Sequence, residues 1–278
     1  MNAAVDPAFD EVAFVNGRTR LFGIVGHPIE QVRSPEMFTA EFGRRGANAL
    51  MLPVHVLPDD FDLVLPVLMR VRNWDGLIFT IPFKARACGL ADELGPQATV
   101  VGAVNALARG SDGRWRGDIF DGVGCVEAFR RRGHSFADRR VTLIGAGGAG
   151  AAIGVAVAHE RPAAMRLFDL DEGRVRDLAD KVRRVDDAIA VEIGPPSIAD
   201  RDILLNASPV GMLGDARLPV AVERLPPNLI VFDAIVKPER TPLIRLAEEC
   251  GCRTVYGREM MRGQIERMTD YFGLPPPT

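Results

Sequence analysis

Apolar and polar residues alternate in two successive blocks along the chain, and the pattern of each block predicts strands that alternate with helices. In the first block, short apolar runs that stop at glycine or proline predict buried strands. Ser34 followed by Pro35 is a helix start signal, with the serine as cap and the proline in the first turn. Strands are predicted at residues 21–26, 50–56 and 76–80, and helices from residue 34 and over residues 58–68. This alternation is typical of an α/β domain.

The second block begins near Arg140, with an apolar strand, a glycine-rich turn and a helix of small residues in direct succession. Its strands are predicted at residues 141–144, 165–168, 203–206 and 229–233, and its first helix at residues 149–158. The segment from Arg258 predicts a helix with no strand after it, so we expect that helix to pack back on the first block. The chain is therefore expected to form two α/β domains.

Composition excludes several classes of function for this chain of 278 residues. A net charge of -3 gives no reason to expect nucleic acid or an acidic membrane as partner. No apolar run approaches the roughly 18 residues that a membrane-spanning helix needs, and the acidic start does not resemble a secretory signal. Four cysteines without a CxxC pair or a neighbouring histidine predict reduced thiols and no metal site. We therefore expect a cytoplasmic protein that is a monomer or a homodimer.

The segment Gly145-Ala146-Gly147-Gly148-Ala149-Gly150 predicts a dinucleotide-binding loop, because it follows an apolar strand and opens a helix. The first glycine allows the tight turn, the second lets the backbone approach a diphosphate, and the third lets helix and strand pack closely. Free N–H groups at the helix N-terminus would hold the diphosphate. The fold class is therefore α/β with a C-terminal Rossmann-type domain at residues 122–257. The N-terminal α/β domain comprises residues 1–121 and 258–278, with residues 1–17 as an extension.

Asp169 favours NAD over NADP as the cofactor. It ends the strand after the glycine loop, where a carboxylate accepts hydrogen bonds from the ribose hydroxyls and repels a 2′-phosphate. An NADP site would place an arginine close by to pair with that phosphate. In this chain Leu170 and Asp171 follow, and Arg174 is the nearest basic residue.

Lys84 and Asp121 are the candidate pair for proton transfer. Lys84 follows the predicted strand of residues 76–80, and Asp121 begins the segment between the two blocks. A lysine held by a carboxylate can exchange a proton with an alcohol while hydride leaves the same carbon. Spacing alone leaves open whether the two side chains meet or whether Lys84 is a solvated lysine at the start of a helix.

Taken together, the motifs of the chain resemble those of the shikimate dehydrogenase family from Leu21 to Gln264. The matching pieces stand in the family's order: Gly26-His27-Pro28-Ile29, Ser34-Pro35, Thr80-Ile81-Pro82-Phe83-Lys84, Gly102-Ala103-Val104-Asn105, Asp121-Gly122, the glycine loop, Asn206-Ala207-Ser208-Pro209-Val210-Gly211-Met212, and Gly257 to Gln264. The resemblance implies that the N-terminal domain binds substrate and that the active site lies between the domains. The family's reaction is reversible hydride transfer between a ring hydroxy acid such as shikimate and its ketone.

The resemblance also implies roles for individual residues. Lys84 and Asp121 match the catalytic pair. The residues that match substrate-binding positions are Ser34, Thr80, Asn105 and Gln264. Those that match the nicotinamide end of the cofactor site are Asn206, Ser208, Val236, Gly257 and Met260.

Several departures from the family's pattern fall at positions expected near the substrate. Val32 stands where the family usually has a serine, Ile78 where it has an asparagine, and Ile119-Phe120 where it often has Asn-Thr. Ala106 and Val236 replace a usual threonine and tyrosine. A buried hydroxyl of the ligand that loses its partner costs on the order of 1–3 kcal/mol. We therefore expect a less hydroxylated ring acid, or poor turnover of shikimate. Quinate as substrate and a dinucleotide-binding regulator without turnover are the alternatives.

Overall fold

The computed structural model describes residues 15–276. Residues 1–14, which make up most of the extension expected at residues 1–17, lie outside the described residues, as do residues 277–278. Within residues 15–276, no helix is both long and apolar enough to cross a membrane. The helices are α1 (Ser34–Arg44), α2 (Phe61–Leu68), α3 (Pro96–Val101), α4 (Asp121–Arg131), α5 (Gly148–His159), α6 (Glu172–Val185), α7 (Pro242–Glu249) and α8 (Gly257–Tyr271).

The N-terminal domain is built on a mixed sheet of six strands. These are β1 (Arg20–Gly26), β2 (Ala49–His55), β3 (Trp74–Phe79), β4 (Glu93–Leu94), β5 (Ala106–Arg109) and β6 (Trp115–Asp118). Their order is β2-β1-β3-β5-β6-β4, with β2, β1 and β3 parallel and β5 antiparallel to both of its neighbours. The parallel strands end at the same edge, which places the segments after β1 and β3 side by side.

Residues of β3 alternate between two apolar layers, one on each face of this sheet. Ile78 points into a layer formed with Phe38 of α1 and Met268 of α8, whereas Leu77 packs on the other face with Phe61 of α2. The C-terminal helix thus completes the core of the N-terminal domain, as the sequence predicts.

The second sheet has six parallel strands, β7 (Arg140–Ile144), β8 (Ala164–Phe168), β9 (Ala190–Ile193), β10 (Ile203–Asn206), β11 (Ile230–Asp233) and β12 (Arg253–Tyr256). Their order is β12-β11-β10-β7-β8-β9. This order reverses at β7, which is the topology of a Rossmann sheet, and its ligand crevice lies at the carboxyl ends of the strands beside that switch point. The expected α/β class and the Rossmann-type second domain are confirmed.

The structure contains elements that the predicted set does not include, among them the 14-residue helix α6 and the helix α7. The hairpin of β5 and β6 and the strands β4, β9 and β12 were not predicted, because runs of two to four residues show little periodicity. The helix expected from residue 58 begins with a 3₁₀ turn at Pro58–Asp60 before α2. The predicted cap at Ser34 is wrong: α1 starts at Ser34 itself, and no side chain caps that helix end.

Arg45 joins the end of α1 to the C-terminal half of α8. Its side chain is 1% exposed, and its guanidinium donates to the carboxylates of Glu41 and Asp270, each at 2.6 Å. It also donates to the carbonyl oxygens of Glu266 and Pro275, each at 3.2 Å. These bonds fasten the last helix of the chain to the domain formed by the first part of the chain.

Arg45→Ala is expected to lower the free energy of unfolding by roughly 3 kcal/mol, because it removes a buried guanidinium that donates to Glu41, to Asp270 and to two carbonyl oxygens. Arg176→Ala is the matched control, since Arg176 pairs with Glu172 on the surface of α6 with 69% of its side chain exposed. The control should change stability by less than about 1 kcal/mol. Urea unfolding of both variants measures the difference. Equal losses would show that Arg45 does not fasten α8.

Candidate active site between the domains

The carboxylate of Asp121 lies at the centre of a buried hydrogen-bond cluster. One oxygen, Oδ2, accepts from Nζ of Lys84 at 2.6 Å and from Nδ2 of Asn105 at 3.0 Å. The other, Oδ1, accepts from Nε2 of Gln264 at 3.1 Å. Asp121 is only 4% exposed, so three donors stabilise its charge in place of water. The structure brings together the two predicted catalytic residues and two of the four predicted substrate-binding residues.

Local structure on the N-terminal side holds Lys84 towards this carboxylate. Phe83, the preceding residue, is fully buried, and its N–H donates to the carbonyl of Thr80 at 2.9 Å. The carbonyl of Lys84 accepts from the N–H of Val104 at 2.8 Å. Asn105 is fixed in turn, because its Oδ1 accepts from the N–H of Phe120 at 2.9 Å. The bond between Val104 and Lys84 thereby joins the motif of residues 80–84 to the motif of residues 102–105.

The other two predicted substrate-binding residues lie at the same edge of the first sheet. Thr80 follows β3 directly and is half-buried, with its N–H bonded to the carbonyl of Val25 in β1 at 3.0 Å. Ser34 is buried in the first turn of α1. Its hydroxyl is not used as a helix cap, and the N-terminal end of a helix favours an anion such as a carboxylate.

The glycine loop after β7 has the shape that a dinucleotide needs. Gly145 has φ +98°, and a Cβ built on it would lie 2.8 Å from the backbone of Ala207 and Ser208, so only glycine fits. A Cβ on Gly150 would collide with the carbonyl of Gly145, which explains the close packing of α5 on β7. Gly147 faces open space, and no side chain caps α5. This cradle fits the diphosphate of a dinucleotide, and Ala146 and Ala149 lie within the same loop.

The same loop touches the proton-transfer pair. A Cβ built on Gly148 would lie 3.3 Å from Cβ of Lys84 and 3.7 Å from Cβ of Ala103. The cofactor loop of one domain therefore packs against the lysine of the other domain.

Asp169 and Asp171 make the far end of the cofactor site acidic. The carboxylate of Asp169 accepts from the N–H of Ala146 at 2.6 Å and of Asp171 at 2.9 Å. Asp171 caps α6 by accepting from the N–H groups of Gly173 and Arg174. The nearest base, Arg174, pairs with Asp171 at 3.4 Å. Asp169 is thus tied to the glycine loop and keeps further lone pairs for ribose hydroxyls.

The residues predicted at the nicotinamide end divide into half-buried and buried positions. Ser208 and Val236 are half-buried in the loops after β10 and β11. Asn206 is fully buried, and Gly257 and Met260, in the first turns of α8, are buried. Asn206 bonds to the loop after β10 and Gly257 lies against the loop after β11, whereas Met260 packs in the core of the second domain.

Asp233 and Thr241, which were not predicted from the sequence, lie next to Asn206 in the interior. Oδ1 of Asp233 accepts from Nδ2 of Asn206 at 3.2 Å, and its Oδ2 accepts from the hydroxyl of Thr241 at 2.7 Å. Burial raises the pKa of Asp233 to about 6. An aspartate that directly follows three apolar strand residues was the one available signal.

Four of the departures from the family's polar pattern lie in the apolar layer of the first sheet that contains Phe38, whereas Ile119 lies in the core of the second domain and Val236 in the loop after β11. Ile78 and Ala106 are paired across β3 and β5, and both are buried in the layer that contains Phe38. Val32 and Phe120 are partly buried against the same layer. No hydrogen-bonding side chain is presented at any of these four positions.

Comparison with known proteins agrees with this arrangement. A family model described as the shikimate dehydrogenase substrate binding domain matches residues 24–107. A shikimate dehydrogenase (NADP(+)) of Rubrobacter xylanophilus is 33% identical over 269 residues, which cover 94% of each chain. A quinate/shikimate dehydrogenase of Escherichia coli is 31% identical over 272 residues, covering 93% of this chain and 94% of that protein.

The fold is also shared with solved structures of the same group. The crystal structure of shikimate 5-dehydrogenase from Listeria monocytogenes in complex with shikimate and NAD has a TM-score of 0.82 to this chain, with 28% identity and 93% of each chain covered. Similarity at this level over nearly the whole length confirms the family that the ordered motifs indicate. The chain belongs to the shikimate dehydrogenase family.

Proposed function

We propose that this protein catalyses reversible hydride transfer between a nicotinamide dinucleotide and a ring hydroxy acid of the shikimate type. The observation that carries the proposal is the 2.6 Å bond from Nζ of Lys84 to Oδ2 of Asp121, beside the cofactor loop at Gly148. A regulator that only binds a dinucleotide would have no use for a buried proton-transfer pair next to the cofactor loop.

The chain's own residues supply the proton and the orientation of the substrate. In the direction of reduction, the ammonium of Lys84 donates a proton to the carbonyl oxygen as this becomes an alcohol. In the direction of oxidation, the neutral amine takes that proton back. Asp121 would hold the lysine in position, and Ser34 and Thr80 would bind the carboxylate and hydroxyls of the ring. When bound, the dinucleotide supplies or accepts the hydride.

We further propose that the preferred cofactor is NAD. The relatives from Rubrobacter xylanophilus and Listeria monocytogenes are both named for NADP(+), which favours NADP, although the Listeria structure holds NAD. The proposal of NAD therefore rests on the local charge of this chain alone. Asp169 and Asp171 follow β8, where the dinucleotide fingerprint has the acid that binds the ribose, and Arg174 is already paired with Asp171. Leu170, between the two acids, is 93% exposed and supplies no positive charge.

The apolar wall formed by Val32, Ile78, Ala106 and Phe120 favours a substrate with fewer hydroxyls than shikimate. None of these four side chains forms a hydrogen bond, so a hydroxyl directed at them would lose its water without gaining a partner from them. Quinate carries more hydroxyls than shikimate and should meet the same obstacle.

Lys84→Met is expected to lower kcat by roughly 10² to 10⁴-fold, because it removes the acid/base group. NAD affinity should change by less than about threefold. Lys181→Met is the matched control: Lys181 is also a largely buried lysine, 14% exposed at its side chain, with a carboxylate (Asp177) at 2.6 Å. Its variant should keep kcat within a few-fold. If Lys84→Met retained most of its rate, Lys84 would not be the acid/base group.

Leu170→Arg is expected to raise kcat/KM for NADP by roughly tenfold, since it supplies the base that a 2′-phosphate needs. The kcat/KM of this variant for NAD should stay within about threefold of the wild-type value. The wild-type protein should have a higher kcat/KM with NAD than with NADP. Leu63→Arg, at an exposed leucine of α2, controls for added surface charge. A wild-type preference for NADP would refute the assignment of NAD.

Phe120→Thr is expected to raise kcat/KM for shikimate relative to 3-hydroxycyclohexanecarboxylate by roughly tenfold, because it returns one hydroxyl to the apolar wall. Phe120→Leu, which removes the ring without adding a hydroxyl, should leave the ratio unchanged. Steady-state assays with shikimate, quinate and the monohydroxy acid measure it. High efficiency of the wild-type protein with shikimate or quinate would contradict the less hydroxylated substrate.

A further inference from the structure

Asp233 is a buried carboxylate at the carboxyl end of β11, directly beside Asn206 at the end of β10. It is 1% exposed, and none of the ion pairs found within residues 15–276 involves it. Its three hydrogen-bond donors are uncharged: Nδ2 of Asn206 at 3.2 Å, the N–H of Ile235 at 3.1 Å and the hydroxyl of Thr241 at 2.7 Å. A charge without a cationic partner in the interior is costly, so its position calls for a functional reason.

The carboxylate determines which way the amide of Asn206 points. Because both oxygens of an ionised carboxylate only accept, Asn206 must turn its NH₂ group towards Asp233. Its Oδ1 then faces the loop, where it accepts from the N–H of Ser208 at 3.1 Å and from the hydroxyl of Ser208 at 2.6 Å. The same NH₂ group also donates to the carbonyl of Val210 at 3.3 Å. The opposite orientation of the amide would lose these bonds.

The loop held by Asn206 lies against the cofactor loop. Ala207 donates its N–H to the carbonyl of Ile144, the last residue of β7, at 2.7 Å. The backbone of Ala207 and Ser208 fills the space where Gly145 would carry a Cβ. Any shift of this loop would therefore change the wall beside the first glycine of the dinucleotide cradle.

Thr241 anchors the other oxygen of Asp233. Its hydroxyl donates to Asp233 and accepts from the N–H of Ile244, so it also caps α7. The threonine is fully buried, and Pro242 next to it lies against Gly211 of the cofactor-side loop. Thr241 thus holds Oδ2 of Asp233, while Oδ1 of the same carboxylate orients the amide of Asn206.

We propose that Asp233 is a positioning residue for cofactor binding, which acts through Asn206 to hold the loop of residues 207–210 against the glycine cradle. The inference rests on the proposed binding of a nicotinamide dinucleotide. It assigns to Asp233 no contact with substrate or with the reacting atoms.

Asp233→Leu and Asp233→Asn separate this role from general stability. Leucine offers Asn206 no acceptor, so we expect NAD to bind roughly tenfold more weakly. Asparagine can keep its oxygen towards Asn206 and Ile235 and its NH₂ group towards the hydroxyl of Thr241, so NAD affinity should return to within about threefold of wild type. The KM for NAD should follow the affinity, while the KM for the hydroxy acid stays unchanged.

Thr142→Val is the matched control, because it removes another buried hydroxyl bond, from Thr142 in β7 to the carbonyl of Ser197 at 2.6 Å. It should leave NAD affinity unchanged. If Asp233→Leu does not fold, Thr241→Val takes its place, with an expected loss of roughly threefold in NAD affinity, in line with the loss of one neutral hydrogen bond.

Titration calorimetry with NAD alone gives the decisive values. Wild-type affinity for Asp233→Leu, or for Thr241→Val in its place, would overturn the positioning role. So would an equal loss in Thr142→Val, an equal rise in both KM values, or a failure of asparagine to restore binding. If the wild-type protein binds NADP and not NAD, the same titrations are made with NADP. A wild-type protein that binds neither dinucleotide would instead overturn the proposed function, so the two failures are distinguishable.

Unfolding measurements supply an independent check on the ionised state of Asp233. Because burial raises its pKa from 3.8 to about 6, the folded state holds the proton more tightly than the unfolded state does. The wild-type protein should therefore lose stability relative to Asp233→Asn as the pH rises from 3.8 through about 6. A difference in stability that does not change with pH would show that burial does not raise the pKa of Asp233, and a loss that continues at higher pH without levelling off would show that Asp233 stays protonated in the folded protein.

Discussion

The arrangement of this molecule depends on one buried carboxylate that must find donors from distant parts of the chain. Asp121 begins α4, at the point where the chain passes from the first sheet to the second. Its three donors come from the segment after β3, from the segment before β5 and from α8. Because a buried charge without donors is costly, these three segments can pack only in an arrangement that brings the donors to Asp121.

The position of α8 follows from the same constraint. Gln264 bonds to Asp121 from the middle of α8, and Arg45 fastens the far half of that helix to α1. The first turns of α8 meanwhile lie beside the loop after β11, where Gly257 leaves room for the carbonyl of Ile235. One helix therefore connects the substrate side, the proton-transfer pair and the cofactor loops. Packing of Gly148 against Lys84 makes the second connection between the two halves of the site.

The elements that could be predicted from the sequence are those with a local signal. The glycine loop between β7 and α5 could be predicted because a tight turn, a close approach and a helix start all impose glycine within six neighbouring residues. The parallel strands β1, β3, β7, β10 and β11 were also predicted, since continuous apolar runs are typical of strands that are buried on both faces. Lys84 and Asp121 were a candidate pair for proton transfer from their residue types and positions, but only the resemblance to the family favoured that role over a solvated lysine, because no pattern in the sequence shows that two residues so far apart meet.

The features that were missed depend on tertiary contacts. In the sequence, Asp233 is an acidic residue at the end of a strand, and only the fold brings Asn206 and Thr241 to its two oxygens. Nothing in the sequence distinguishes Arg45 from the other arginines, and only the packing of α8 brings Asp270 to its guanidinium. The roles of the apolar replacements Ile78 and Ala106 became specific only when their pairing across β3 and β5 placed both in one layer.

A double-mutant cycle between Lys84 and Asp121 tests most directly whether these two residues act as one unit. Rates would be measured for Lys84→Met, Asp121→Asn and the double variant with NAD and the best hydroxy acid. If the pair is a unit, the double variant should be no more than a few-fold slower than the slower single variant, because the first substitution already removes the shared function. Fully multiplicative losses would show that the two residues act independently and would contradict the role of Lys84 and Asp121 as a single proton-transfer pair.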